Sequence, residues 1–204
     1  MKLIKHLLFF LILISCKENH QYISMIKKDV EVLSHDSLMG RETGTEGERI
    51  AAEYIKKRFI ELDINPINEN GYFQKFTFNK SINPHQNASF TNQLNDSSTT
   101  GTNVIGYIDN MSENTIVIGA HFDHLGYGGT NSLYRDKEKQ IHNGADDNAS
   151  GTALVLDLAS KLKISNKENN YLFIAFSGEE IGILGSNFFT KNSPVPVEKY
   201  NYMI

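Results

Sequence analysis

Imidazole and carboxylate side chains gather at three places in this 204-residue sequence: His121-Phe122-Asp123-His124, Asp146-Asp147 within Asn143–Ser150, and Glu179-Glu180. No cysteine stands near any of them. A nitrogen and oxygen donor set without sulfur suits a hard or borderline divalent cation such as zinc and does not suit a structural thiolate site. In His121-x-Asp123 both side chains project to the same side of an extended segment. Asp123 can then accept the second ring N–H of His121 and fix its tautomer, although a solvated His-Asp pair at a strand end has the same spelling. Two adjacent carboxylates before a helix, Asp146 and Asp147, repel unless a cation or the helix dipole neutralises them. An ordinary N-cap by Asp147 or Asn148 also accounts for them. Paired glutamates are most often simply solvated. In a metal site Glu179 and Glu180 would divide the work, one as ligand and the other taking a proton from water.

These clusters need a scaffold that brings them together. Three apolar runs, 103–108, 115–120 and 171–176, read as strands buried on both faces. Between the last two, Val155, Leu158, Ala159 and Leu162 recur at helical spacing and predict a helix over 150–163. Strand, helix, strand implies a parallel crossover in an α/β sandwich. Sites in such open sheets lie beyond the carboxyl ends of strands, where His121 and Glu179 stand. Upstream, Ile26, Val30 and Leu33 predict a helix over 25–33, and 40–47 is a glycine-punctuated loop. Thr45 and Glu48 have the spacing of a capping box that opens a helix over 46–62, with Ile50, Tyr54, Ile55, Phe59 and Leu62 on one face. Phe73–Phe78 alternates as a strand. The segment 80–100, rich in Asn, Ser and Thr, reads as loosely paired surface, and another helix is expected to open at Gly178.

The three clusters together are far more specific than any one. Gly-Ala-His-Phe-Asp-His-Leu-Gly (119–126), Asn-Gly-Ala-Asp-Asp-Asn-Ala-Ser-Gly (143–151) and Phe-Ser-Gly-Glu-Glu-Ile-Gly-Ile-Leu-Gly-Ser (176–186) resemble the signature segments of metallopeptidase family 28, the co-catalytic zinc aminopeptidases. Gly40–Gly47 is similar to a segment near the start of many bacterial members. The resemblance implies a three-layer α/β sandwich with a central, mostly parallel mixed sheet flanked by helices. It also implies two zinc ions, one ligated by His121 and the other by Glu180, with Asp146 bridging them. Asp123 would orient His121, Asp147 would hold the backbone beside the bridging residue, and Glu179 would be the general base. His124, His142 and Ser177 match motif positions without an assigned role, while Arg41 and Glu42 read as loop structure. The implied activity is release of amino-terminal residues from peptides with a free amine. A glutaminyl-cyclase-like acyltransferase or a carboxypeptidase would share part of this ligand set, and a non-catalytic binding module is the alternative from another class. Each zinc in the family takes a further Asp or His ligand from later in the chain. Lys199–Ile204 looks like the strand before the first of these, so the sequence is expected to be the amino-terminal portion of the domain, its carboxyl-terminal part missing. No Gly-x-Ser-x-Gly or His-Glu-x-x-His occurs.

The amino terminus differs in kind. Lys2 and Lys5 precede an apolar stretch, Leu7–Ile14, too short to cross a bilayer as a helix, and it ends at Ser15 and Cys16. Leu13-Ile14-Ser15-Cys16 resembles a bacterial lipobox, which implies lipidation of Cys16 after cleavage. The expected organisation is a signal peptide (1–15), a tether (16–24) and a peptidase domain (25–204), exported and lipid-anchored to a bacterial membrane on its periplasmic or cell-surface side. Cys16 is the sole cysteine, so no internal disulfide can form. A net charge of -4 supplies no basic field for nucleic acid.

Overall fold

The computed structural model describes residue 23 and residues 25–67, 71–80, 88–91, 98–129, 132–136, 138–165 and 167–204. The expected signal peptide and Cys16 lie outside them. No helix among the described residues is long and apolar enough to cross a membrane. Helix α1 spans 25–33 and leads through a tight helical turn, Asp36–Arg41, to α2 (Glu46–Glu61). Strands β1 (Phe73–Asn79), β2 (Ser89–Phe90), β3 (Ser98–Ile108) and β4 (Thr115–His121) follow. A kinked turn, Ala145–Ala149, then introduces α3 (Ser150–Ser165), β5 (Asn170–Phe176), α4 (Leu184–Lys191) and β6 (Tyr200–Met203).

The strands form one mixed sheet in the order β2-β1-β3-β5-β4-β6. The expected crossover is present: α3 connects β4 to β5, which pair in parallel, and β6 is parallel to β4. The parallel portion is confined to this side, since β1 is antiparallel to both β2 and β3, and β3 is antiparallel to β5. β5 lies inside the sheet and every residue in it is buried, which is why its run is apolar without alternation. Its side chains divide between two cores. Tyr171, Phe173 and Ala175 pack with Ile116, Ile118 and the α1, α2 and α3 residues Leu33, Ile55 and Leu156. Leu172, Ile174 and Phe176 pack with Val117 and, from α4, Phe189. Helices on both faces of the sheet make the three layers. α1 and α2 are further joined by a nearly buried ion pair, Arg58 Nε to Asp29 Oδ1 at 2.8 Å.

Three local expectations are corrected. Strand β3 begins at Ser98, inside the segment expected to be loose, because 98–103 pairs along β1. α4 begins at Leu184 and not at Gly178, because Gly178, Gly182 and Ile183 all have positive φ, and the intervening backbone closes as a turn with Leu184 N–H donating to Gly178 O. The capping box does not form. Thr45 donates its hydroxyl to Glu42 O, and Glu48 is turned inward and buried.

Candidate active site

The site occupies the carboxyl ends of β4 and β5, and its centre is a buried carboxylate. Asp123 has no exposed surface. Its Oδ1 accepts the Glu179 backbone N–H (3.2 Å), while Oδ2 accepts the Thr43 hydroxyl (2.8 Å) and the Glu180 N–H (3.4 Å). His121 Nδ1 lies 3.6 Å from Asp123 Oδ1 and 3.2 Å from the Asp123 carbonyl oxygen. Asp123 therefore does more than orient an imidazole: it also pins the turn that carries both glutamates. Burial opposes charge on His121, but Asp123, and behind it Glu179 and Asp147, prevail and raise the ring to about 9.

Behind Asp123 stands a layer of polar groups. Thr43 Oγ1 accepts the Gly178 N–H at 3.1 Å while donating to Asp123. Ser177 donates to Glu48 Oε1 at 2.5 Å, and Glu48 also accepts N–H groups from Gly44 and Thr102. Burial pushes the Glu48 carboxyl up to about 7, against the pull of these three donors. Arg41, also without exposed surface, donates to the carbonyls of Phe122 (2.6 Å), Asn143 (2.7 Å), Gly144 (3.0 Å) and Leu33. One guanidinium thus fixes the segment just after His121 relative to the turn that introduces α3. Burial lowers its pKa to about 10, with Asp123 and Asp147 opposing the fall.

That turn brings Asp147 toward the other donors. Asp147 Oδ1 lies 3.1 Å from His121 Nε2, and ligand atoms of His124, Asp147 and Glu180 all lie within 4.8 Å of one another. Asp147, not Asp146, is the carboxylate common to both groupings. The physical reason is local. Gly144 has φ +56°, and Asp147 and Asn148 have non-helical torsions (φ -111°, ψ 94° and φ -138°, ψ 46°), so the backbone leaves the helical path where Asp147 is carried to His121. Asp146 remains exposed, and its carbonyl accepts the Ser150 hydroxyl.

Glu180 Oε1 is 2.6 Å from His124 Nδ1, so a histidine that sequence reasoning left without a role contacts an expected ligand. Burial raises the Glu179 carboxyl. His121 counters this, while Glu180, Asp123 and Asp147 add to it. Four carboxylates thus share this sheet edge with two imidazoles and Arg41. The donors are nitrogen and oxygen, the carboxylates outnumber the fixed cation, and Asp147 stands 63 % exposed at the mouth. This arrangement fits zinc.

Residues 103–204, half of the chain, match Peptidase family M28. The chain belongs to this peptidase family. The M28 chain is 30 % identical over 172 residues to the alkaline phosphatase isozyme conversion protein of Escherichia coli (strain K12), covering 81 % of this chain and 45 % of that protein. It is 37 % identical over 108 residues to a "probable leucine aminopeptidase" of Trichophyton verrucosum (strain HKI 0517), covering 50 % of this chain and 27 % of the relative. It therefore spans less than half the length of either relative. In fold it is similar to a Zn-dependent exopeptidase from Parabacteroides distasonis ATCC 8503 (TM-score 0.65, 19 % identity, 89 % of this chain and 58 % of that one). The glutaminyl cyclase of Fimbriiglobus ruber is comparable (TM-score 0.62, 20 % identity, 88 % and 59 %).

Proposed function

We propose that this M28 chain supplies the core of a zinc-dependent aminopeptidase site that hydrolyses the first peptide bond of substrates with a free amino terminus. The observation that carries the reading is the shared position of Asp147, 3.1 Å from His121 Nε2 and within 4.8 Å of ligand atoms of both His124 and Glu180. His121 and Asp147 would hold one zinc, and Asp147 and Glu180 a second. Bound zinc supplies a Lewis acid that polarises a carbonyl and acidifies water. The chain's own residues do the rest. Asp123 stands against His121 Nδ1 and so orients the ring with Nε2 toward Asp147, and the same carboxylate holds the Glu179 and Glu180 amides. Glu179, partly buried and with its carboxyl raised, takes a proton from the attacking water and delivers it to the leaving amine.

Aminopeptidase action is favoured over cyclisation by a relative that carries that name at 37 % identity, whereas the glutaminyl cyclases are similar in fold at about half that identity. The test is release of a fluorogenic amino acid from an aminoacyl amide by the intact protein, abolished by a chelator and restored by zinc. Cyclisation of a glutaminyl peptide without such release would assign the site to the alternative. Zinc-free protein that binds peptide without cleaving it would make the chain a binding module.

We also propose that the amino-terminal segment exports the protein and that Cys16 anchors it through lipid. Support is the Leu13–Cys16 lipobox spelling after a short apolar core. Cys16→Ser should release the protein from the membrane fraction, and labelled fatty acid still incorporated by that variant would end this reading.

A further inference from the structure

We infer that His124 is the positioning residue for Glu180, donating its Nδ1–H to Oε1 and so setting where that carboxylate meets a metal ion. The inference rests on the zinc reading above, and it concerns a residue for which that reading has no task. The two atoms are 2.6 Å apart, and a carboxylate oxygen at that distance accepts, so the proton sits on Nδ1. The ring is held in place independently of Glu180. Its own backbone N–H donates to Arg41 O at 3.2 Å. Gly144 packs against its other side so closely that an added Cβ would come within 2.6 Å of Cδ2 and 2.7 Å of Cγ, which only a glycine at φ +56° avoids. The side chain is 11 % exposed. His124 therefore offers a fixed donor to the Glu180 carboxylate. Glu180 is held at its backbone by Asp123 (3.4 Å) and at its head by His124, so its rotamer is set before any cation arrives.

A second use of the same geometry makes His124 itself a ligand, since its nitrogen is among the three donors that lie within 4.8 Å. The two uses part on substitution. Asparagine places an amide N–H near the position of ring Nδ1 but is a poor zinc donor. The experiment is zinc affinity of the intact protein by competition with a chromophoric chelator, for the unsubstituted protein, His124→Ala and His124→Asn. X-ray absorption of each zinc-loaded protein then counts imidazole ligands, and circular dichroism verifies folding. Positioning predicts that His124→Ala weakens zinc by about 10- to 100-fold, that His124→Asn recovers most of the loss, and that the imidazole count is unchanged throughout. Unchanged affinity in His124→Ala would overturn the inference. Equal losses in both variants with one imidazole missing would overturn it in favour of direct ligation. Failure of the unsubstituted protein to bind zinc would be a different result, removing the metal reading and this inference with it.

Discussion

The two sides of the site are built from the same residue types and are treated in opposite ways. On the side facing the protein, Asp123, Thr43, Glu48, Ser177 and Arg41 are all buried, and each reaches at least one partner fixed by another element. On the side facing solvent, Asp147 is 63 % exposed, and Glu179 and Glu180 stand beside it with like charge. A buried polar group must be satisfied or it costs free energy comparable to a lost hydrogen bond, so the inner layer is complete within the protein. The outer carboxylates lean on His121 and His124, and the charge that Glu180 and Asp147 add to the burial penalty on Glu179 is an electrostatic cost that a divalent cation removes. The inner layer sets position and the outer layer holds charge in reserve. Substitutions on the two sides should therefore fail differently, the outer ones in chemistry and metal content, the inner ones in stability first.

The largest expected effect is on the outer side. Glu179→Gln keeps shape and removes the proton acceptor, so kcat should fall by about 10^3-fold while zinc content is unchanged. Near-normal turnover in this variant would move the base elsewhere. Next, Asp147→Ala and Asp146→Ala form a matched pair that tests which carboxylate the site shares. Asp147→Ala should weaken zinc by at least about 100-fold, about 3 kcal/mol, and Asp146→Ala by less than about threefold. The reverse order, measured by chelator competition, would favour Asp146 in the bridging role that the family resemblance implies.

How far the site could be read in advance depends on which residues set its parts. Strand ends were legible because β4 and β5 are apolar runs that stop at His121 and Phe176, so the polar residues beyond them had to lie at one sheet edge. Which of Asp146 and Asp147 stands nearer His121 was not, since that turns on backbone torsions from Gly144 to Asn148 that adjacent identical residues do not betray. Thr45-x-x-Glu48 spells a capping box, but the Gly44 N–H, with Thr102 and Ser177 arriving from 54 and 129 residues away, gives the Glu48 carboxylate other donors. Arg41 and Thr43 sit in a glycine-rich loop, and the partners that tie them to the site, Phe122 and Asp123, lie 81 and 80 residues on, beyond any local pattern. Long-range polar contacts leave no periodicity to detect.

On the inner side the strongest signature should be the pH dependence of stability. Glu48 holds its proton up to about 7 in the folded chain and near 4.5 when unfolded. Between these values the folded state binds more protons, so unfolding free energy falls as pH rises through that window, and the contribution is largest below about 4.5. The span is about 3 kcal/mol at most. Glu48→Gln cannot titrate and should flatten that part of the slope, seen by urea unfolding of metal-free protein at several pH values. An identical slope in the two proteins would mean that Glu48 is not the titrating group.

The smallest effect tests whether the inner layer acts on the metal site at all or only on folding. Thr43 links the two halves of the site through one oxygen, donating to Asp123 and accepting from Gly178. Thr43→Val keeps the volume and the methyl group that lies against Gly101, but strands a buried N–H and removes one donor from Asp123. An unsatisfied buried donor costs about 1 to 3 kcal/mol, which should appear as lost stability. If Asp123 transmits position to His121 and to the glutamate turn, zinc affinity should also fall, by about tenfold, as for other residues that hold a ligand in place. Thr43→Ser keeps the hydroxyl and loses the methyl, so it should retain zinc affinity within about threefold while giving up about 1 kcal/mol of packing. The two variants separate the roles, because a purely structural Thr43 would make affinity indifferent to the hydroxyl once each protein is folded. Equal zinc affinities for the Val and Ser variants would confine the inner layer to stability, and a difference that follows the hydroxyl would make it part of the site.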